Sequence, residues 1–283
     1  MGVIDEELQR LDRQNRSEVR KVPACLVRGA LFGIGVQRRT LDEWTELPIL
    51  GDKWSLWYRG ETLGQDDFDV FQLLLHLYRD TPDIRATRHH LLKQLDRSRC
   101  LNSYGWLDGV LARLSNAGIR LSNGSRTIEL ERLVEYYGLD EATGELCISP
   151  SSRFAELLDI DVAFAAPDIL VRRGLKGNLT GWLFNFYDSH SGNQRHSVKL
   201  LWQLCGSRGE LKKFRIMLRE SLEQLVTCGL LKSAQLDEGI VRIECGRVRK
   251  EKKQPEDVKQ PAKEPLVDSY RMSERKARSM VSL

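Results

Sequence analysis

Apolar residues recur at helical spacing in two separated stretches of the chain. In the first, Phe68, Phe71, Leu74, Leu75 and Tyr78 fall three or four apart and predict a helix over 65–79. A short helix over 87–95 follows, and Ser103 is placed to cap a third that runs to Asn116 and stops at Gly118. Segments 119–121 and 127–137 then flank Asn123-Gly124, a dipeptide that favours a tight hairpin. In the second stretch Trp182, Leu183, Phe186 and Tyr187 predict a helix over 179–188, with further helices over 197–205 and 208–227 closed by Gly229. A hairpin of 230–233 with 240–243 around Asp237-Glu238-Gly239 completes it. Upstream of both, 26–36 and 54–58 read as short strands between turn-like Asp42, Pro48-Ile49 and Gly51-Asp52.

The two stretches share text as well as pattern. Leu91 to Arg99 and Leu200 to Arg208, 109 positions apart, agree at six of nine places. Each is followed by a helix ending alike, Leu111-X-X-Leu114-X-X-X-Gly118 and Leu222-X-X-Leu225-X-X-X-Gly229. A period of about 110 residues is domain-sized, too long for a solenoid repeat. Helix, helix, helix, hairpin is the order of a winged helix-turn-helix, so the expected fold is α+β, with two tandem winged-helix domains. The expected division is a flexible segment 1–21, a first domain 22–146, a second domain 147–246 and a basic tail 247–283. A helix-prone piece at 154–158 and a break at Pro167 lie in the joining text. The tail is rich in Lys, Glu, Pro and Gln and too poor in apolar residues to build a core, so it is expected to be disordered, weakly helical at most over 273–280.

Charge sharpens this picture. The net charge is +4 over 283 residues, but 247–283 alone hold eleven Lys/Arg against six Asp/Glu, leaving −1 for the rest. Within that neutral remainder 195–232 carry eight basic and three acidic side chains. A local basic surface is the footprint of nucleic-acid contact. On a helical wheel Leu211, Phe214, Leu218, Leu222 and Leu225 share one face, and Arg208, Lys212, Arg215 and Arg219 fall within about 60° on a neighbouring one. Such a cationic stripe suits the major groove, where Arg and Lys meet phosphates and the O6 and N7 of guanine; a merely solvated face is the competing explanation. Lys199 and Lys213 join the candidate contacts. The first copy offers less: Arg97 and Arg99 before its third helix and Tyr104 and Arg113 on it, suited to backbone contact. Asp66, Asp67 and Asp69 suit the N-terminal dipole of the 65–79 helix.

No phosphate-binding loop, dinucleotide fingerprint, serine elbow or HExxH motif occurs, so no catalytic activity, metal or cofactor is expected. The six cysteines form no CxxC pair, and residues 1–20 are charged, which points to a reduced, cytoplasmic compartment. No apolar run approaches the ~18 residues of a membrane span.

Val22-Pro23, Arg28 to Phe32, Trp57 to Gly60, Asp66 to Val70, Leu183 to His190, Leu200 to Gly206 and Lys212 to Arg215 together resemble the TrfA-type plasmid replication initiators, over about 22–246. The resemblance implies a tandem winged-helix initiator that binds direct repeats (iterons) of double-stranded origin DNA as a monomer. It also implies opening of adjacent A·T-rich DNA, including single-strand contact, and recruitment of the host replicative helicase and its loader or initiator. Dimers would be inactive and in equilibrium with monomers, with the first domain serving dimerisation and auxiliary DNA contact and plasmid copy control following from that balance. Arg208, Lys212, Lys213, Arg215 and Arg219 would be the groove contacts. Members can carry a Gln-Leu-X-Leu-Phe clamp-binding segment before the first domain; 1–21 has none, and the nearest text, Gln72 to His76, lies in a predicted core helix. A tandem winged-helix transcriptional regulator is the alternative function.

Overall fold

In the computed structural model, residues 22–246 are described apart from 36, 52, 79–82, 154–155, 158–163 and 166–168. The expectations for 1–21, for the tail 247–283 and for most of 154–158 and Pro167 lie outside the described residues. The chain enters through β1 (Val22–Pro23), one helical turn α1 (Ala24–Val27) and β2 (Phe32–Gly33). Then come β3 (Thr40–Leu47), β4 (Ser55–Glu61), β5 (Leu63–Gly64) and α2 (Gln65–Tyr78). The first lobe continues with β6 (Ile84–Thr87), α3 (Arg88–Gln94), α4 (Leu101–Ser115), β7 (Gly118–Ser122), β8 (Thr127–Leu130), β9 (Val134–Asp140) and β10 (Glu145–Pro150). After β11 (Phe164–Ala165) and α5 (Ile169–Arg173), the second lobe runs α6 (Asn178–Asp188), β12 (Gln194–Ser197), α7 (Val198–Leu204), α8 (Leu211–Thr227), β13 (Leu231–Asp237) and β14 (Ile240–Cys245). The class is α+β.

Helix, strand, helix, helix, strand, strand thus occurs twice, and the sheets repeat too: β6-β10-β9 in the first lobe and β12-β14-β13 in the second, all antiparallel. Between α4 and β9 the first lobe inserts β7 and β8. The expected Asn123-Gly124 turn does join these two strands, but the hairpin adds to β3 and β4 in a separate sheet of order β3-β4-β7-β8. The hairpin that matches the one in the second lobe is β9–β10. Its strand β10 straddles the expected boundary at 146, and its pairing with β9 runs on to Pro150. Two further expectations change. The run 26–36 holds α1's end and the two-residue β2 rather than one strand, and Asp42 lies within β3.

The short helices show how the repeat is built. Thr87 and Ser197 cap α3 and α7, their hydroxyls accepting from the N–H of His90 and Leu200 at 3.1 Å. At the other end Leu95 N–H donates to Leu91 O and Arg97 N–H to Leu92 O; Cys205 does so to Leu201 O and Ser207 to Trp202 O. Asp96 and Gly206 close the two helices with positive φ, 54° and 66°. Every one of these pairs is 110 positions apart, as are buried Leu91 and Leu201. The six-of-nine text match at 109 is therefore one residue out of structural register. Adjacent leucines allow that slip; caps and left-handed residues do not.

Each lobe has its own apolar core, one around Phe68, Phe71, Leu107, Leu111 and Ile148, the other around Trp182, Phe186, Phe214, Leu218 and Leu225. Gln72, Leu73, Leu74 and Leu75 are buried in the first, as a core helix requires. The segment from Val22 to Gly35 joins the lobes. Trp182 Nε1 donates to Gly29 O at 3.1 Å, Arg28 Nε to Ser189 Oγ at 2.8 Å, and Ile34 N–H to Cys205 O at 3.0 Å. Buried Arg172 completes the junction, donating to Gln65 Oε1 at 2.8 Å and pairing with Asp69 of α2.

Candidate nucleic-acid interface

α8 is amphipathic by sequence, and its packing follows. Phe214, Leu218, Leu222 and Leu225 are buried on the core side with Ser221, whose Oγ accepts from Thr180 Oγ1 at 2.9 Å. On the neighbouring face Lys212, Arg215 and Arg219 are exposed; Lys212 to Arg219 span about 10 Å at 1.5 Å per residue. α8 begins at Leu211, three residues later than expected, so exposed Arg208 lies in the preceding turn rather than on the stripe. Trp202 Nε1 pins that turn by donating to Gly209 O at 2.9 Å. Lys213 is about 100° round from Lys212 and pairs with Glu210 at 3.4 Å, on open surface. Lys199 is exposed on α7. Glu210, Glu220 and Glu223 also belong to this region, so the surface around the stripe is mixed in sign.

The β13–β14 hairpin lies beside this helix. Its turn, Glu238-Gly239, has φ of 46° and 79°, and a Cβ on Gly239 would stand 3.4 Å from Arg215 Nη2, so the guanidinium reaches the hairpin tip. Between α8 and β13 a groove of about 600 Å³ is lined by Arg219, Glu223, Thr227, Lys232 and Ser233. On the sheet Arg195 and Arg242 face each other across β12 and β14.

Each lobe holds both paired and unpaired cations. In the first, Arg38, Arg88, Arg97, Arg113, Arg120 and Arg153 all hold carboxylates at 2.6–2.9 Å. In the second, Lys199, Arg208, Lys212, Arg215 and Arg219 have no carboxylate partner among the described residues. A cation left unpaired on one helix face is available to an external anion.

The first-lobe candidates divide. Arg97 donates to Asp66 at 2.6 Å and stacks 3.7 Å over Trp106, and Arg113, 16% exposed, donates to Asp67 at 2.9 Å. Ion pairing thus engages both guanidinium groups, and ring stacking that of Arg97 as well. Tyr104 is half-buried against the core, and exposed Arg99 contacts His89 Nε2 at 3.1 Å. Asp108 on the same helix holds Arg88 through two bonds of 2.9 Å.

The acidic run at the start of α2 does more than complement a dipole. Fully buried Asp67 accepts from Gly64 N–H at 2.7 Å, Arg38 at 2.8 Å and Arg113 at 2.9 Å, while Asp66 and Asp69 hold Arg97 and Arg172. Burial raises the Asp69 pKa and Arg172 opposes that rise. Sequence spacing gave no sign of these partners, which come from 29 and 46 residues away. His190 and His196 lie in the second core; burial pushes His190 down to about 4 and lowers His196 as well. Among the described residues no cluster could hold a metal ion, and no helix is long and apolar enough to cross a membrane.

No protein-family model matches the sequence, and no curated protein does. Solved structures do match the fold. Domains 2 and 3 of RctB, as a selenomethionine derivative, align with a TM-score of 0.54 at 14% identity, over 80% of this chain and 99% of that one. A second RctB domains 2–3 structure gives 0.52 at 13%, over 78% and 97%. The Pi initiator protein in complex with iteron DNA gives 0.49 at 11%, over 65% and 91%. At such identities the likeness to RctB is one of fold.

Proposed function

We propose that each lobe is a winged helix and that the chain is a replication initiator binding direct repeats of double-stranded origin DNA through its second lobe. α8 is the groove helix, β13–β14 the wing, and α7 with the Arg208 turn meets the flanking phosphates. The observation that carries the reading is the outward face of α8, where Lys212, Arg215 and Arg219 stand without carboxylate partners within two turns of one helix, while the first-lobe candidates Arg97 and Arg113 are internally paired. The sequence resemblance to TrfA-type initiators supports origin binding over other uses of the same fold. On this reading the first lobe serves dimerisation and auxiliary contact through Arg99 and Tyr104, and the bound protein opens adjacent A·T-rich DNA and recruits the host helicase and its loader. It acts without catalysis or cofactor, in the cytoplasm.

The test is replication itself. A plasmid carrying the repeats selected by this protein should be maintained only when the protein is supplied, and lost with Arg215→Glu combined with Arg219→Glu. Maintenance without the protein would end the initiator reading. Regulation of a reporter by the same repeats, with no replication, would establish the transcriptional regulator instead.

A further inference from the structure

Ile216 occupies the outermost position of α8. At 100° per residue it stands about 180° from Leu225, which lies at the middle of the buried face. It is 54% exposed, and Lys212, Arg219 and Glu220 neighbour it one turn away on either side. The clefts flanking the helix leave it out: one is lined by Met217, Glu220, Ser221 and Gln224, the other by Arg219, Leu222, Glu223 and Val226. Ile216 thus rides the crest between them, with nothing of its own lobe over it. A β-branched side chain there loses χ1 freedom that a lysine would keep, and more than half of it stays exposed. In the first lobe the buried residues Leu107, Leu111 and Leu114 match Leu218, Leu222 and Leu225, 111 positions on, which sets Gly105 opposite Ile216. Only the second lobe has a side chain at this crest.

A helix seated in the major groove meets one apolar group on the base edges, the C5-methyl of thymine. Cations four residues before and three after Ile216 would hold the helix to the backbone while the crest faces the bases. We propose that Ile216 is a specificity-determining residue that reads a thymine C5-methyl within the second-lobe footprint; this rests on α8 being the groove helix. Arg215 and Arg219 then supply affinity and polar contacts, and Ile216 supplies discrimination that a cation cannot.

The experiment uses the full chain and duplexes it selects from a randomised pool, with each thymine in turn replaced by deoxyuridine, which lacks only the methyl. At one position the wild type should bind about fourfold more weakly, the worth of one buried methyl. Ile216→Ala should bind the thymine duplex more weakly and ignore that replacement, and Ile216→Val should keep part of the response. Because Ile216 is largely exposed and alanine favours the helix, neither change should lower the melting temperature by more than about 2 °C. Indifference of the wild type to every uridine, or an equal loss in wild type and Ile216→Ala, would overturn the proposal. So would a change in self-association on Ile216→Ala with DNA affinity unaltered. If the full chain selects no duplex, α8 is not a groove helix and both readings fall. Selection that Arg219→Gln weakens, without any uridine effect, removes the Ile216 assignment alone.

Discussion

Salt dependence of DNA binding follows from how each cation is partnered. Five cations of the second lobe, Lys199, Arg208, Lys212, Arg215 and Arg219, have no carboxylate partner among the described residues. If each neutralises one phosphate, log K should fall with log salt at a slope of about −4.5, at roughly 0.9 per phosphate. Between 50 and 200 mM salt that amounts to about a 500-fold loss of affinity. Arg219→Gln removes one contact and should bring the slope to about −3.6. Arg113→Gln is the control: its guanidinium is held at 2.9 Å by buried Asp67, so the slope should stay unchanged while stability falls on the order of 3 kcal/mol. Fluorescence anisotropy on a selected duplex at several salt concentrations, with urea unfolding beside it, measures both. A wild-type slope near −1, or a shallower slope for Arg113→Gln like that for Arg219→Gln, would refute the division between paired and available cations.

Three further outcomes concern stability. Asp67→Ala should cost about 3 kcal/mol in denaturant unfolding, because it strands the largely buried Arg113 guanidinium and leaves Arg38 only Glu61 and Thr62 O; a loss under 1 kcal/mol would mean that the pairs are ornamental. His190, pushed by burial, Arg28 and His196 down to about 4, takes up its proton later than the unfolded chain does at about 6.5. The unfolded state therefore gains protons first, and stability should drop by roughly 3 kcal/mol as pH falls from about 6.5 to about 4. His190→Gln should flatten that limb, and an unchanged difference curve would contradict the assignment. Gly60 has φ of 127°, and a Cβ there would lie 2.5 Å from Asn116 O, so Gly60→Ala should destabilise by about 1–3 kcal/mol, read from the urea midpoint.

Helices were legible from sequence because their cores are written in local spacing: Phe68 to Tyr78 and Phe214 to Leu225 needed no distant partner to be recognised. Strand partners were not. Asn123-Gly124 announced its turn correctly, yet β7 pairs with β4, whose residues lie some sixty positions earlier, and no local signal says so. The hairpin β9–β10 carried only a weak alternation, Leu146 and Ile148 inward, and turns through Gly144, so the stronger turn upstream drew the expectation away. For the site, the position of Lys212, Arg215 and Arg219 on one exposed face was readable from the wheel. What the wheel hid was partnership. Arg113 and Arg219 look alike on paper, and only folding brings Asp67 to one of them. Ile216 carries no charge signal; what marks it in the sequence is an apolar residue on the polar side of a helix.

The segment that joins the lobes bears on the order in which the chain is made. Gly29 and Ile34 leave the ribosome long before Trp182 and Cys205, the residues that bind them. The first lobe must wait, its leading strand uncovered, until the second has been synthesised. Cutting the protein between Pro150 and Asn178 would therefore not yield two clean halves. The front piece would display the apolar face that Trp182 covers, and the rear piece would expose Trp182 itself, so each should aggregate alone and recover when the two are expressed together.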